Sequence, residues 1–197
     1  GATDLLCLSE LPVGTDLETD GALEFTDNCG VVTATFTGRE VFGDNCNFTA
    51  TYNFTIADEC NNFTSASVVY SGADTEPPQL VGVLPGATDL PCYTYLPDGA
   101  DMVQEVADAY SDNCSPVTVT YDGFTRSGDN CVFSATYNYT VSDGCNTIQT
   151  SVVFSGSDTQ APQLVGTLPG ATDLQCLAQL PDGASLVDQV VSAYIDN

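Results

Sequence analysis

A five-residue motif and a cysteine ladder, both recurring at a nearly fixed interval, constrain this chain more than any other feature. Gly-Ala-Thr-Asp-Leu begins at Gly1, Gly86 and Gly170, giving periods of 85 and 84 residues. Cys7, Cys29, Cys46 and Cys60 are spaced 22, 17 and 14 apart, and Cys92, Cys114, Cys131 and Cys145 repeat those intervals. Cys176 opens a third set, and the sequence given ends at Asp196-Asn197, where the earlier copies have Asp-Asn-Cys. A chain like this folds as a series of similar units, each the size of one small domain. The repeat also reads as a window on a longer array, an expectation strengthened by the lack of an initiator Met or a signal peptide.

Nine cysteines without a close C-x-x-C pair indicate a disulfide framework in an oxidising, extracellular setting rather than a zinc site. Composition narrows function further. The chain has 27 acidic side chains and two basic ones, Arg39 and Arg126, a formal charge of −25. It contains no His. Without imidazole or lysine there is no Ser-His-Asp or Cys-His dyad, no Schiff base and no P-loop. The acidity argues against nucleic acid and anionic membrane as partners. No run of about 18 apolar residues is present, so no membrane insertion is expected. A hydrophobic share of 43% nonetheless provides for a folded core.

The apolar pattern predicts strands. Phe133, Ala135, Tyr137, Tyr139 and Val141 alternate with polar residues, and Phe48, Ala50, Tyr52, Phe54 and Ile56 do the same in the first copy. Shorter strands are expected at Pro78–Leu84, Thr88–Tyr93, Val117–Tyr121 and Thr147–Phe154. Met102, Val106 and Tyr110, four apart, predict an amphipathic helix over Ala100–Tyr110, with an equivalent over Ala184–Tyr194. Gly21 should weaken the first copy's helix. The fold class expected is all-β: tandem immunoglobulin- or fibronectin-III-like sandwiches, each with a short helix between its first two cysteines.

A straight strand over 132–141 would separate Cys131 from Cys145 by about 30 Å or more. A disulfide needs Cα atoms within about 7 Å. Cys114 and Cys131 flank the preceding hairpin in the same way. Within a repeat, one of three pairings survives: Cys92–Cys131 with Cys114–Cys145, and by repetition Cys7–Cys46 with Cys29–Cys60. Cys176 then has no partner in the sequence given.

Asp74-Thr-Glu-Pro-Pro78, Asp112-Asn-Cys114 and Thr140-Val-Ser-Asp-Gly-Cys145-Asn146 together resemble the hyalin-repeat (HYR and HYR-like) family. The resemblance implies immunoglobulin-like domains in tandem arrays of secreted surface proteins and adhesins. It also implies domain starts at the Asp-Thr-x-x-Pro segment. The expected divisions are therefore 1–73, a repeat without its first strand; 74–157, a complete repeat; and 158–197, the start of a third.

Candidate modification and ligand sites follow from local motifs. The acceptor pattern N-x-[ST] occurs at Asn47, Asn53, Asn62, Asn113 and Asn138. Asn47, Asn53 and Asn138 fall on the polar face of the best strands and are the favoured glycan carriers. Aspartates recur in turns, at Asp44, Asp74, Asp112, Asp129, Asp143 and Asp158. Asp74 and Asp158, at the junctions, are weak Ca²⁺ candidates, set against the ordinary role of Asp in capping turns. No pair of carboxylates stands out as catalytic, so an enzyme is not expected. The function expected is a structural element of an extracellular filament, stalk or surface fibre, with neighbouring repeats or identical chains as partners. The alternative is the shaft or ligand-binding region of a cell-surface adhesin that meets carbohydrate or cells. Tyr93 and Tyr95, an aromatic pair present only in the second copy, offer that alternative little support. Were the 197 residues a true subunit, a neighbour would supply the missing first strand by strand addition, and Cys176 could crosslink.

Overall fold

A computed structural model describes residues 1–170 and 173–196. Ala171 and Thr172 of the third Gly-Ala-Thr-Asp-Leu motif, and Asn197 at the end of the third repeat, lie outside the described residues.

The chain is β-rich, with few helices. The first repeat runs α1 (Glu18–Leu23), β1 (Thr33–Asp44), β2 (Asn47–Ala57) and β3 (Phe63–Gly72). The second runs β4 (Gln79–Leu80), β5 (Ala87–Leu90), α2 (Val103–Asp108), β6 (Tyr110–Ser111), β7 (Thr118–Gly128), β8 (Val132–Ser142) and β9 (Thr147–Ser157). The third contributes β10 (Gln163–Leu164), α3 (Gly183–Val191) and β11 (Tyr194–Ile195). The sheet orders are β1-β2-β3 and β5-β9-β8-β7, with β4-β6 and β10-β11 as short pairs.

The chain divides into two compact units that cut across the sequence repeats. One comprises Gly1–Pro85, Gly99–Gly123 and Asn138–Ser151; the other Gly86–Asp98, Phe124–Tyr137 and Val152–Asn197. In the first unit, β2 is the central strand of its sheet, antiparallel to β1 and to β3. Its inward residues Ala50, Tyr52, Phe54 and Ile56 are buried with Ala34. Leu11, Leu17, Ala22, Phe36, Val68 and Tyr70 close around them. Alternate burial along β2 follows from pairing on both edges with only one face covered. Tyr52 is completely buried, and its hydroxyl donates to the carbonyl of Pro12 at 2.7 Å. The ring contacts Phe36 and, edge-on, Tyr70. In the second unit, Tyr137 occupies the equivalent place, donating to the Pro97 carbonyl at 2.8 Å and meeting Phe154 edge-on.

Glycine is required where the start of each repeat lies along its last strand. Leu5 forms a parallel bridge to Gly72 in the first unit. In the second, β5 runs parallel to β9, with Leu90 opposite Gly156. A Cβ on Gly72 would collide with the Leu5 carbonyl oxygen, and one on Gly156 with that of Leu90.

Three local expectations are revised. The strand expected over Pro78–Leu84 contracts to Gln79–Leu80, because the N–H groups of Val81 and Gly82 both turn onto the Ala109 carbonyl. The α-helical turns are shorter than predicted and begin in 3₁₀ geometry, at Gly14–Leu17 before α1 and Gly99–Met102 before α2. Despite Gly21, α1 is as long as α2, six residues each, though it buries none of them while α2 buries Val106.

Candidate functional site

A polar cluster lies in the first unit, where the end of the first repeat that carries Cys7 and Cys46 meets the turns that carry Cys114 and Cys145. Two disulfides form there: Cys7–Cys114 and Cys46–Cys145, with Cα–Cα distances of 5.1 and 5.0 Å. The pairings Cys7–Cys46 and Cys114–Cys145 expected from the sequence are therefore corrected. Cys29, Cys60, Cys92, Cys131 and Cys176 carry free thiols, so Cys29–Cys60 and Cys92–Cys131 do not form either. Cys131 and Cys145 are indeed unbonded to one another, as strand length requires, but partners come from the next repeat rather than from the same one.

The local turns explain how the sulfurs are aimed. Six of the cysteines follow the pattern Asp-x-Cys, and in each the aspartate carboxylate accepts the cysteine N–H. The pairs are Asp27–Cys29, Asp44–Cys46, Asp58–Cys60, Asp112–Cys114, Asp129–Cys131 and Asp143–Cys145, at 2.7–3.0 Å. Each is an Asx turn that fixes the backbone at the sulfur-bearing residue. The hydrogen bonds from Val132 and Cys131 hold the Asp129 carboxyl below its ordinary range, and those from Asn62 do the same for Asp58.

Asn45 ties the junction together. Its side-chain amide donates to the Cys114 carbonyl and the Ser115 hydroxyl, and its Oδ1 accepts from Leu8 N–H. Its carbonyl accepts from Asp74 N–H at 2.9 Å. Asn146 matches it from the other side, donating to the carbonyls of Asp74 and Glu76. Asp74 is buried, as is Asp143, each about 5% exposed. Burial pushes the Asp74 carboxyl above its usual range, and the nearby charges of Asp112 and Asp143 add to the effect against the Glu76 N–H bond that lowers it.

Of the two sequence-level cation candidates, Asp74 enters this cluster. Asp158 repeats its turn, accepting from Gln160 N–H and donating its own N–H to the Cys131 carbonyl, but joins no acidic grouping among the described residues. Asp44 and Asp129 serve as turn caps. Among the glycan candidates, Asn47 and Asn138 are exposed on strands and Asn53 is half-buried. Asn113 and Asn62 are exposed, yet the Asn62 amide nitrogen bonds Asp58 and that of Asn113 faces the Cys7 sulfur. Tyr93 lies under the Arg126 guanidinium, and Tyr95 is exposed. The Cys92 thiol, buried beside Thr94, accepts from the Thr94 hydroxyl at 3.2 Å, and this bond holds it below the ordinary thiol range.

Asp74 stands out in the sequence as a cation candidate, but its grouping with Asp112, Asp143, Asn45 and Asn146 does not, because each of these residues has an ordinary local reason to exist. The Asp-x-Cys recurrence was the available signal. No family model matches the chain, and no curated protein is significantly similar to it. No helix among the described residues is long and apolar enough to cross a membrane.

Proposed function

We propose that this chain is a structural segment of an extracellular filament, stalk or surface fibre, a tandem array of immunoglobulin-like sandwiches whose successive repeats are bonded covalently to one another. The observation that carries this reading is the disulfide register. The first cysteine of one repeat bonds the second of the next, Cys7 to Cys114, and the third bonds the fourth, Cys46 to Cys145. Translated along the sequence, the same rule accounts for the free thiols. Cys29 and Cys60 stand where Cys114 and Cys145 stand and would take a preceding repeat. Cys92 and Cys131 stand where Cys7 and Cys46 stand and would take a following one, as would Cys176 in its turn. Such an array gains length without redesign, and each link constrains the unfolded chain. Disulfides of this kind suit an oxidising, extracellular setting. The resemblance to hyalin repeats supports the same role. Glycans on Asn47, Asn53 and Asn138 would coat it.

Stretching single molecules tests the reading. In the oxidised chain, the link from Cys7 to Cys114 leaves about 31 residues of extensible backbone up to Cys145, or roughly 110 Å at full extension. Reduction should release the whole segment from Cys7 to Cys145, about 138 residues and roughly 480 Å. Release of about 60 residues before reduction is the outcome expected if bonds lay within repeats, and it would overturn the proposal.

A further inference from the structure

We infer that the junction between repeats is a divalent-cation site, of the oxygen-ligated type that calcium occupies, built on the paired carboxylates of Asp74 and Asp143, with the Asp112 carboxylate beside Asp74. One carboxylate oxygen of Asp74 lies within 4.8 Å of one of Asp143, and Asp74 and Asp112 offer a second such pair. Two oxygens sharing one calcium ion, each about 2.4 Å from it, are at most about 5 Å apart. The nearby sulfurs of Cys114 and Cys145 are held in disulfides and supply no ligand.

Unsatisfied buried oxygen points to a ligand. Each of these aspartates uses one oxygen, Oδ1, for its turn: Asp74 accepts from Glu76 N–H, Asp112 from Cys114 and Ser115, and Asp143 from Cys145 and Asn146. The other oxygens of Asp74 and Asp143 are buried with no hydrogen-bond partner among the described residues. A buried carboxylate oxygen left in that state is costly unless a positive charge meets it. The guanidinium of Arg39 is engaged over Tyr52 in the same unit, bonding its hydroxyl.

The first repeat contains an internal control. Asp58 is the counterpart of Asp143, with the same turn onto the cysteine two residues on. Both its oxygens have partners, because Asn62 donates its backbone N–H to Oδ1 and its side-chain amide to Oδ2. The one-residue difference between the copies, Asn61-Asn62 against Asn146, supplies this donor. In the second repeat Asn146 instead reaches the backbone of Asp74 and Glu76, and the second oxygen of Asp143 is left without a partner.

The test is calcium titration by calorimetry, with matched thermal melts, on the disulfide-intact chain stripped with chelator at physiological ionic strength. A single saturable site is expected, and the melting temperature should rise with calcium. Asp143→Asn and Asp74→Asn keep an oxygen for the turn bonds while removing charge. Each should weaken calcium binding by about tenfold or more, since affinity follows the charge of the ligand set. Their effects on stability should cross over: the variants melt above the wild type in chelator and below it in calcium. A purely structural role for these aspartates would give no crossover. Asp58→Asn should leave the affinity unchanged. The inference is overturned if wild-type melting is insensitive to millimolar calcium, or if Asp58→Asn weakens binding as much as Asp143→Asn. Should a junction variant not fold, the wild-type titration and the Asp58→Asn control decide the matter between them.

Discussion

Replacing Cys46 and Cys145 together by serine is expected to cost about 4–5 kcal/mol of stability in the oxidised protein. The bond closes a loop with a sequence separation of 99. Removing a crosslink of that span returns roughly this much entropy to the unfolded chain, on the order given by the loop-closure relation. The matched replacement of Cys7 and Cys114, separated by 107 residues, should cost a similar amount. Cys29 and Cys60 provide the contrast. Both are exposed free thiols, so serine at either should change stability by no more than about 0.5 kcal/mol. Urea denaturation under non-reducing conditions measures all of these. Equal losses from the Cys29–Cys60 pair and the Cys46–Cys145 pair would contradict the register described above.

Tyr52→Ala is expected to cost about 3–5 kcal/mol, the range for emptying an aromatic site that cannot collapse. The residue has no exposure and is enclosed by Phe36 and Tyr70. Tyr52→Phe separates the hydroxyl from the ring. It keeps the packing and removes the donor to the Pro12 carbonyl, at a cost of about 1–2 kcal/mol. The gap between the two variants, read from the same denaturation curves, assigns most of the contribution to the ring. Near-equal losses would place it in the hydrogen bond instead. The sequence contains a related swap, since Phe54 in the first repeat corresponds to Tyr139 in the second, whose hydroxyl donates to the Gly99 carbonyl at 2.9 Å.

The strand framework was legible because alternation and burial are the same information. Phe48 to Ile56 and Phe133 to Val141 point inward as their period requires. The helical turns were legible in place, since one apolar residue every four marks them, but not in length, because α2 buries little beyond Val106. Disulfide partners were not legible. Identical spacing in every copy fits bonds within a repeat and bonds to the next repeat equally well. Strand length rejects Cys131–Cys145 but cannot choose between Cys46 and Cys114 as the partner of Cys7. That choice depends on how one repeat's end meets the next, which Asn45 and Asn146 govern through backbone contacts about 70 residues away. Asp74 was legible as a cation candidate, but its pairing with Asp143 was hidden for a related reason. An aspartate that caps a turn looks the same in sequence whether its second oxygen is solvated, bonded as in Asp58, or buried without a donor.

The most direct test of covalent coupling between repeats is a disulfide map of the oxidised, unreduced protein, made with a protease that cuts at acidic residues. Peptides joining Cys7 to Cys114 and Cys46 to Cys145 are expected, with Cys29 and Cys60 alkylated by a thiol reagent or bonded to another repeat. Peptides joining Cys7 to Cys46, or Cys114 to Cys145, would contradict it.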